Sequence, residues 1–478
     1  CTTRIMGKNL QESLSNFTDQ VSDSIKTNKK ILVTTHIDCD GLTSGSIITK
    51  ALIRKGAKCT VRTTNEFSHN LIEKMQKETR DLHIITDLGG GFGEVLDEKL
   101  GENWLVLDHH EIPDNEIDNE KVINAWKFGF DGGVEICAGG MAYLAAVSLQ
   151  KENQDLSSIA VISALGDRQD QGEKKAFTGK NLEIAKTAQS LGLVDIDLDL
   201  LLVGRETRPL SDALAFTSQP FIEGLTWNRS ACLSILNSAG IRLKEGARWR
   251  VTAELEQDEK RDIIESITKF AQGKNATQIM NELIGFTYTF PREDRRSFLR
   301  DGREFSTMLN SCGRISRSGV GISICMGDRN KMLEEGEKIL AEYRGMIRNY
   351  MNVLSNERWR MSNSENYVMV NGEGLVPETM TGTITSLIAG APKNSGKIVI
   401  LRTDGSEGTV KFSSRKSVDC KSDVNLSELM REGAVKFNGI GGGHNAAAGA
   451  KITKDKLDEF LDYIEENVTK LQTTDINQ

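Results

Sequence analysis

The sequence lacks the long apolar segments of a membrane protein. None of its apolar runs approaches the ~18–20 residues that a helix needs to cross a bilayer. Its first residues, Cys1-Thr-Thr-Arg-Ile5, also lack the charged region and the apolar stretch that together mark a secretory signal. We therefore expect neither a membrane protein nor a secreted one.

The sequence also lacks paired cysteines. It has eight, with no CxxC pair and no close clustering: Cys1, Cys39, Cys59, Cys137, Cys232, Cys312, Cys325 and Cys420. This spacing argues against both a disulfide framework and a structural zinc site. It predicts reduced, mostly buried thiols in a cytoplasmic protein.

An excess of basic charge is absent as well. The 60 Lys and Arg residues are outnumbered by 68 Asp and Glu, which gives a net charge of −8. A protein that coats nucleic acid through charge alone is expected to be basic, so this class is disfavoured. A local basic groove is still compatible with this net charge.

The chain has enough length and apolar content for several domains. At 478 residues, with 38% hydrophobic residues, it is expected to form two to four globular domains. The first third alternates short apolar runs with helical patterns, including a predicted helix at 139–150. The runs at 31–35, 82–86, 104–107 and 159–164 show little polar alternation. Such runs are typical of strands buried on both faces, so we predict an open parallel α/β sheet.

The remainder of the chain divides further. A more polar, irregular stretch from about residue 191 predicts a helical insertion, and residues 331–361 predict a long connecting helix. Strand-like runs then return at 367–370, 397–401 and 408–412, and a final amphipathic helix carries apolar residues at three–four spacing. The predicted domains are a parallel-sheet domain, a mainly helical insertion, a segment with the connecting helix, and a smaller α/β domain, at 1–215, 216–305, 306–362 and 363–478.

Polar motifs follow the four apolar runs of the first third. They are His36-Ile-Asp38-Cys-Asp40, Asp87, Asp108-His109-His110 and Gly166-Asp167. Because ligands of open α/β sheets bind outside the carboxyl ends of the strands, these four strand ends are expected to meet at one crevice. The alternate spacing of the first motif would place its acidic side chains on one side of an extended segment.

The negative charge of this cluster predicts that it binds cations. The carboxylates of Asp38, Asp40, Asp87 and Asp167 carry −4 together, which two divalent ions would neutralise. Carboxylate and imidazole ligands without thiolate favour Mn²⁺ over Mg²⁺ or Zn²⁺. A pair of ions ~3.5–4 Å apart, bridged by one carboxylate, is the arrangement used to cleave phosphoesters. Asp87, alone on its strand, is the expected bridge.

Each residue also has a structural interpretation. A single Asp at a strand end more often caps a helix, and a lone His, such as His83 within an apolar run, is more often structural. Four such motifs at strand ends, holding half of the histidines, favour the metal interpretation.

These motifs, with Gly441-Gly-Gly-His444-Asn-Ala-Ala-Ala-Gly449 downstream, resemble the DHH phosphoesterase superfamily and its DHH-associated C-terminal domain. Segments at 204–210 and 309–314 resemble the archaeal RecJ-like branch, which includes a GINS-associated nuclease. The resemblance extends over nearly the whole chain.

The resemblance implies roles for individual residues. One ion would be bound by His36, Asp38 and Asp87, and the other by Asp40, Asp87, His109 and Asp167. His110 would lie near the scissile phosphate, where it either stabilises the phosphate or protonates the leaving oxygen, and Asp108 would orient it. His36 stands where bacterial RecJ usually has Asp, which leaves the metal preference open.

The resemblance also suggests substrate contacts. The candidates are Asn310, Arg314, Ser414, Arg415, Gly441, Gly442, Gly443 and His444. The glycines would let the backbone approach a phosphate, although a glycine triplet is more often a plain turn. Arg205 and Arg208 could equally pair with acidic neighbours, and the arginines at 292–303 fit a strand-binding groove or a solvated helix face.

The expected function is a two-metal, single-strand-specific exonuclease that acts on DNA or RNA in DNA replication or repair, with GINS as a candidate partner. Two alternatives remain. One is an oligoribonuclease or small-nucleotide phosphodiesterase, whose usual chains are shorter and lack the insertion. The other is a replisome scaffold with little catalysis, although such scaffolds have lost metal ligands that this chain keeps.

Overall fold

The computed structural model describes residues 9–271, 276–417 and 419–469. Cys1, the start of the predicted first domain and the end of the predicted last domain lie outside these residues. The chain divides into two compact units, residues 1–340 and 341–478. No helix within the described ranges is both long enough and apolar enough to cross a membrane.

The first unit is built on a parallel sheet of five strands: β1 (Lys30–His36), β2 (Lys58–Thr64), β3 (Leu82–Thr86), β4 (Trp104–Asp108) and β5 (Val122–Asn124). Their order is β2-β1-β3-β4-β5, and every neighbouring pair is parallel. The strands predicted at 31–35, 82–86 and 104–107 are confirmed, and so is the parallel α/β class. The sheet also contains β2 and β5, which the sequence did not predict.

Among the described residues, the first part of this unit also contains the α-helices α1 (Leu10–Lys26), α2 (Cys39–Arg54), α3 (His69–Lys77), α4 (Gly93–Leu100), α5 (Ala138–Leu149), α6 (Ser157–Gly166) and α7 (Gly179–Ser190). Apolar residues of α1, α2 and α5 share one buried cluster with Val33 and Ile84. Those of α3 and α4 share another with Ile85 and Val106. Because strand side chains alternate between faces, the two clusters show that helices cover both faces of the sheet.

One strand prediction is wrong. Residues 159–164 lie within α6, not in the sheet. The run is apolar on all sides because α6 is almost entirely buried, in contact with α2, α5, α7 and α12 (Gly302–Arg314). A short continuous apolar run does not distinguish a buried strand from a buried helix, and here the small Ala and Ser residues allow close helix packing.

The middle of the chain has its own core. This part of the chain contains α8 (Leu210–Phe216), α9 (Arg229–Ser238), α10 (Gln257–Phe270), α11 (Ala276–Leu283), α12 as above and α13 (Ser318–Met326). The apolar residues of α12 and α13 share a buried cluster with those of α6 instead. The strands of this part are β6 (Asp195–Leu200), β7 (Lys244–Glu245), β8 (Arg248–Trp249) and β9 (Ile284–Thr289). Apolar residues of α8 to α11 form a separate buried cluster. The antiparallel pair β6–β9 joins this core to the rest of the unit, so the region is not helical throughout.

Most arginines of residues 292–303 make structural contacts. Arg296 is paired with Glu254, Arg303 with Asp170, and Arg300 donates to the backbone oxygens of Pro291 and Glu293. Arg205 is likewise paired with Asp199. These four arginines therefore have structural partners within the first unit.

The second unit contains a mixed sheet of six strands. They are β10 (Met361–Asn363), β11 (Tyr367–Asn371), β12 (Ile398–Asp404), β13 (Thr409–Lys416), β14 (Ile440–His444) and β15 (Ala447–Thr453). The order is β10-β11-β12-β13-β15-β14, with β11 and β12 parallel and the other pairs antiparallel. Its helices are α14 (Lys331–Asn356), which begins in the first unit, α15 (Thr381–Ala389), α16 (Leu426–Lys436) and α17 (Leu457–Thr469). The predicted long helix and the closing amphipathic helix are confirmed.

Candidate metal centre

The candidate site lies at the carboxyl ends of three adjacent strands. His36 ends β1, Asp87 follows β3, and Asp108 ends β4. Parallel strands put these ends on one edge of the sheet, as expected for a ligand site of this fold. Asp167 reaches the same edge from a helix, as the C-cap of α6.

The first motif does not run as an extended segment, which corrects the prediction. Asp38 is the N-cap of α2, and its Oδ1 accepts a hydrogen bond from the Gly41 amide at 3.0 Å. Asp40 then lies within the first turn of α2. A Cβ at Gly41 would overlap the carbonyl oxygen of His36, so glycine lets the helix start directly against β1. The spacing of the motif therefore reflects a tight strand-to-helix turn, and Asp38 both caps the helix and faces the site.

The first cluster consists of His36, Asp38 and Asp87, which could hold a metal ion. Nδ1 of His36 lies 2.9 Å from Oδ2 of Asp38 and 3.6 Å from Oδ2 of Asp87. Burial lowers the pKa of His36, but the two carboxylates outweigh it and raise that pKa to about 10. The cluster thus attracts positive charge strongly.

The second cluster consists of Asp40, His109 and Asp167. Nε2 of His109 lies 3.4 Å from Asp40 Oδ2 and 3.3 Å from Asp87 Oδ1, and its Nδ1 lies 3.8 Å from Asp167 Oδ2. Burial and the nearby Asp87 charge raise the pKa of Asp40 to about 8, and burial also raises the pKa of Asp167. In the absence of a cation, these carboxyl groups therefore tend to retain protons.

Asp87 joins the two clusters. Oδ1 faces the second cluster and Oδ2 faces the first. The residue is 2% exposed, and its Oδ2 has no hydrogen-bond partner among the described residues. Its backbone has a φ of +63°, a left-handed conformation that is uncommon for a residue with a side chain and is often found at functional sites. A buried carboxylate oxygen without a donor is costly, and divalent cations on both sides would satisfy it, so these residues fit the expected ions.

Asp108 is placed to orient its neighbour. Its Oδ1 accepts from the backbone amide of His109 at 2.8 Å and lies 2.8 Å from Nδ1 of His110, while Oδ2 accepts from the Gly90 amide at 2.9 Å. These contacts orient the His110 ring, and Asp108 also belongs to a third group of possible ligands, with Asp87, His109 and His110. The His110 side chain is 51% exposed, so its other nitrogen is open to a substrate.

Two predicted substrate contacts of the first unit lie against the start of α2. Oδ1 of Asn310 accepts from the Cys39 amide at 3.0 Å, so Asn310 holds the turn between Asp38 and Asp40. Burial raises the pKa of Asp38, but the charges of His36 and Arg314 contribute to a pKa far below its usual range. Asn310 therefore supports the metal centre, and Arg314 contributes positive charge beside it.

The second unit carries the other predicted substrate residues, and they differ in accessibility. Ser414 is fully buried and its hydroxyl donates to the Ala448 carbonyl at 3.0 Å, which corrects its assignment as a substrate contact. Arg415 is opposite Ala447 on β15, and Ala447 is opposite His444 on β14. Directly opposite residues point to the same face, so Arg415 and His444 flank the small Ala447 on one face of the sheet.

The three glycines of β14 are not equivalent. Gly441 and Gly443 are required by packing, because a Cβ would overlap Met430 at one and the β15 backbone at the other. A Cβ at Gly442 would meet no atom within 4 Å. Since residues two apart on a strand share a face, Gly442 leaves open space beside His444.

Three residues that support the site were not predicted. Gln169 donates from Nε2 to Asp167 Oδ2 at 2.6 Å and to the Gly132 carbonyl at 2.7 Å, and Asn181 donates to Gln169 Oε1 at 2.6 Å. Gln169 lies two residues beyond Asp167, which is the one local signal that could have drawn attention to it. Gly132 and Asn181 belong to no motif and come together only in the folded chain.

Three family models match successive parts of the chain. They are the DHH family, N-terminal domain, at residues 30–166, the DHH-CID domain at 202–284 and the DHHA1 domain at 368–470. The predicted metal-binding and catalytic residues fall inside the first match, except for Asp167, which directly follows it.

One curated protein and several solved structures are similar to this chain. An uncharacterised protein of Methanocaldococcus jannaschii is 32% identical over 446 residues, which cover 91% of this chain and 92% of that protein. The crystal structure of RecJ from Thermus thermophilus in complex with Mn²⁺ has a TM-score of 0.57 at 14% identity, and 96% of this chain spans only 55% of that longer protein. A crystal structure of exonuclease RecJ bound to manganese gives the same TM-score and identity, covering 96% and 94%. CDC45 from Entamoeba histolytica has a TM-score of 0.63 at 13% identity, covering 96% and 99%.

Proposed function

Because this chain belongs to the DHH phosphoesterase family, on its RecJ-like side, we propose that it is a metal-dependent exonuclease that hydrolyses single-stranded DNA or RNA. The observation that carries the proposal is the shared carboxylate of Asp87, which joins two clusters of metal-ligand type. Enzymes that hydrolyse phosphodiesters use two metal ions bridged by such a carboxylate. The RecJ structures with bound manganese support Mn²⁺ as the ion, with Mg²⁺ as the alternative.

In this proposal the protein's own residues bind and orient the reactants. His36 and Asp38 would hold one ion, Asp40, His109 and Asp167 would hold the other, and Asp87 would contribute to both. When bound, the ions supply Lewis-acid activation of water and neutralise charge on the phosphate. His110, oriented by Asp108, faces solvent at the site, where it can donate a proton to the leaving oxygen or a hydrogen bond to the phosphate.

The second unit is proposed to bind the phosphates of a neighbouring nucleotide. Arg415 and His444 supply donors on one face of its sheet, and Gly442 leaves open space beside His444. Contacts to the backbone carry little sequence information, so weak base preference is expected.

Replacement of His444 tests this binding role. His444→Ala is expected to raise KM roughly tenfold with little change in kcat, because one donor to a bound phosphate contributes ~1.5 kcal/mol. The matched control is Ile440→Ala, which removes another exposed side chain from the same strand. A large fall in kcat at saturating substrate, with KM unchanged, would contradict a binding role.

A replisome scaffold is the second candidate function. The fold likeness to CDC45 favours it, with a TM-score of 0.63. The metal-ligand set described above favours catalysis. GINS as a partner stays a prediction.

Hydrolysis of one single-stranded oligonucleotide, labelled at either end and made as DNA and as RNA, tests the proposed function. Stepwise shortening with Mn²⁺ or Mg²⁺, abolished by a chelator, is expected, and the label released first gives the polarity. Cleavage of dinucleotides without cleavage of longer strands would favour the small-nucleotide enzyme. Absence of turnover on both would leave the scaffold as the better account.

A further inference from the structure

The loop after α6 brings a glutamine side chain back against the metal centre. Asp167 is the C-cap of α6, and Arg168 follows with a left-handed φ of +57°. The amides of Arg168 and Gln169 then donate to the carbonyls of Leu165 and Ala164, which closes the end of the helix. This turn places Gln169 in the interior, where it is 0% exposed.

The orientation of the Gln169 carboxamide is determined by its neighbours. Its Nε2 faces two oxygens, Oδ2 of Asp167 and the carbonyl of Gly132. The flipped orientation would set Oε1 against both oxygens, so the nitrogen must lie on this side. Oε1 then accepts from Nδ2 of Asn181, a residue of α7 that is itself buried.

The Gly132 carbonyl connects Gln169 to a second residue of the centre. It also lies 2.6 Å from Nδ1 of His109, so a proton on Nδ1 is held there and Nε2 is the ring nitrogen available to a metal ion. That Nε2 points at the carboxylates of Asp40 and Asp87. A Cβ at Gly132 would overlap the His109 carbonyl oxygen, so only glycine brings this carbonyl close enough.

We propose that Gln169 is a positioning residue for the second ion. Its carboxamide holds the Asp167 carboxylate directly and the His109 ring through the Gly132 carbonyl. In the described structure its carboxamide makes no hydrogen bond to His36, Asp38 or Asp87, so its effect is expected on one of the two ion-binding clusters. The inference rests on the proposed two-ion centre and adds a residue outside the metal-ligand set.

The test is Mn²⁺ binding by the full-length protein, monitored by titration calorimetry and by electron paramagnetic resonance. The wild type is expected to bind two ions and to give the spectrum of a spin-coupled pair. Gln169→Met keeps the length of the side chain and removes both donors. It is expected to raise the dissociation constant of one Mn²⁺ ion about 10- to 100-fold, the range found for residues that orient metal ligands. At intermediate Mn²⁺ concentrations, the variant should therefore give the spectrum of uncoupled Mn²⁺.

Gln171→Met is the matched control, because Gln171 lies on the same loop, is exposed and donates only to the Arg168 carbonyl in the described structure. It should bind Mn²⁺ as the wild type does. If Gln169→Met does not fold, Asn181→Asp replaces it. This variant removes the donor to Oε1 without changing a metal ligand. It should also lower the affinity for the same Mn²⁺ ion.

Each outcome separates the two proposals. Two ions bound by folded Gln169→Met as tightly as by the wild type, or by Asn181→Asp where that variant is used, would overturn the positioning role and leave the two-ion centre standing. An equal loss of affinity for both ions would also overturn it, since the effect would not be specific to one cluster. Fewer than two ions bound by the wild type would overturn the two-ion centre and this inference together.

Discussion

Asp87→Asn is expected to abolish phosphodiester hydrolysis, with a loss of roughly 10³-fold or more in turnover, while the protein stays folded. Among the described residues, Asp87 is the one carboxylate that faces both clusters, through Oδ2 at 3.6 Å from His36 and Oδ1 at 3.3 Å from His109. An amide of the same shape offers one oxygen in place of two and no charge. Both ions therefore lose a ligand at once.

Without metal, the variant is expected to keep a stability close to that of the wild type. The buried carboxylates of Asp40 and Asp167 repel Asp87, whereas the rings of His36 and His109 attract it, and Asn removes both effects. Thermal unfolding separates the two effects. Mn²⁺ at 100 times its dissociation constant should stabilise the wild type by about 2.7 kcal/mol per ion, and Asp87→Asn should lose most of this gain.

Asp81→Asn is the matched control, because it makes the same change just before the opposite end of β3, where the carboxylate accepts only from the Lys30 amide in the described structure. It should retain full activity and full stabilisation by Mn²⁺. Near-native turnover by Asp87→Asn would remove the two-metal interpretation of the site.

The sheet and the polar residues at its edge were predictable for a simple physical reason. β1, β3 and β4 are buried on both faces, and continuous apolar runs report that condition directly. β2 was missed because it lies at the edge of the sheet, is half-buried and has the polar sequence Lys-Cys-Thr-Val-Arg-Thr-Thr. The apolar run at 159–164 was misassigned because a helix buried on all sides has the same composition as a buried strand.

The support of the site was not predictable in the same way. Asn310 lies 271 residues from the Cys39 amide that it accepts from, and Gly132 serves His109 and Gln169 through a carbonyl that every residue possesses. Such contacts depend on backbone position, which no single sequence reveals. Metal-ligand side chains are distinctive by type and spacing, whereas the groups that orient them are common residues placed by the tertiary fold.

His110→Gln is expected to lower kcat by about 10²- to 10⁴-fold on an oligonucleotide, the range for loss of a general acid, without changing Mn²⁺ binding. Its ring is held through Nδ1 by Asp108 at 2.8 Å, and the side chain is half-exposed beside the His109 ring, 4.4 Å away between centroids. Burial and His109 lower the pKa of His110, but Asp108 leads the groups that raise it above its usual value, which favours the protonated donor.

The two roles open to His110 differ in their dependence on the leaving group. A proton donor to the leaving oxygen matters for a ribose or deoxyribose alcohol and hardly at all for p-nitrophenolate, which leaves without protonation. Wild type and His110→Gln are therefore compared on an oligonucleotide and on the p-nitrophenyl ester of thymidine 5′-phosphate, with His69→Gln, an exposed histidine of α3, as the control. If His110 is the acid, the loss on the ester should be smaller by at least tenfold. Equal losses on both substrates would instead assign His110 to stabilisation of the phosphate, and no loss on either would exclude it from the reaction.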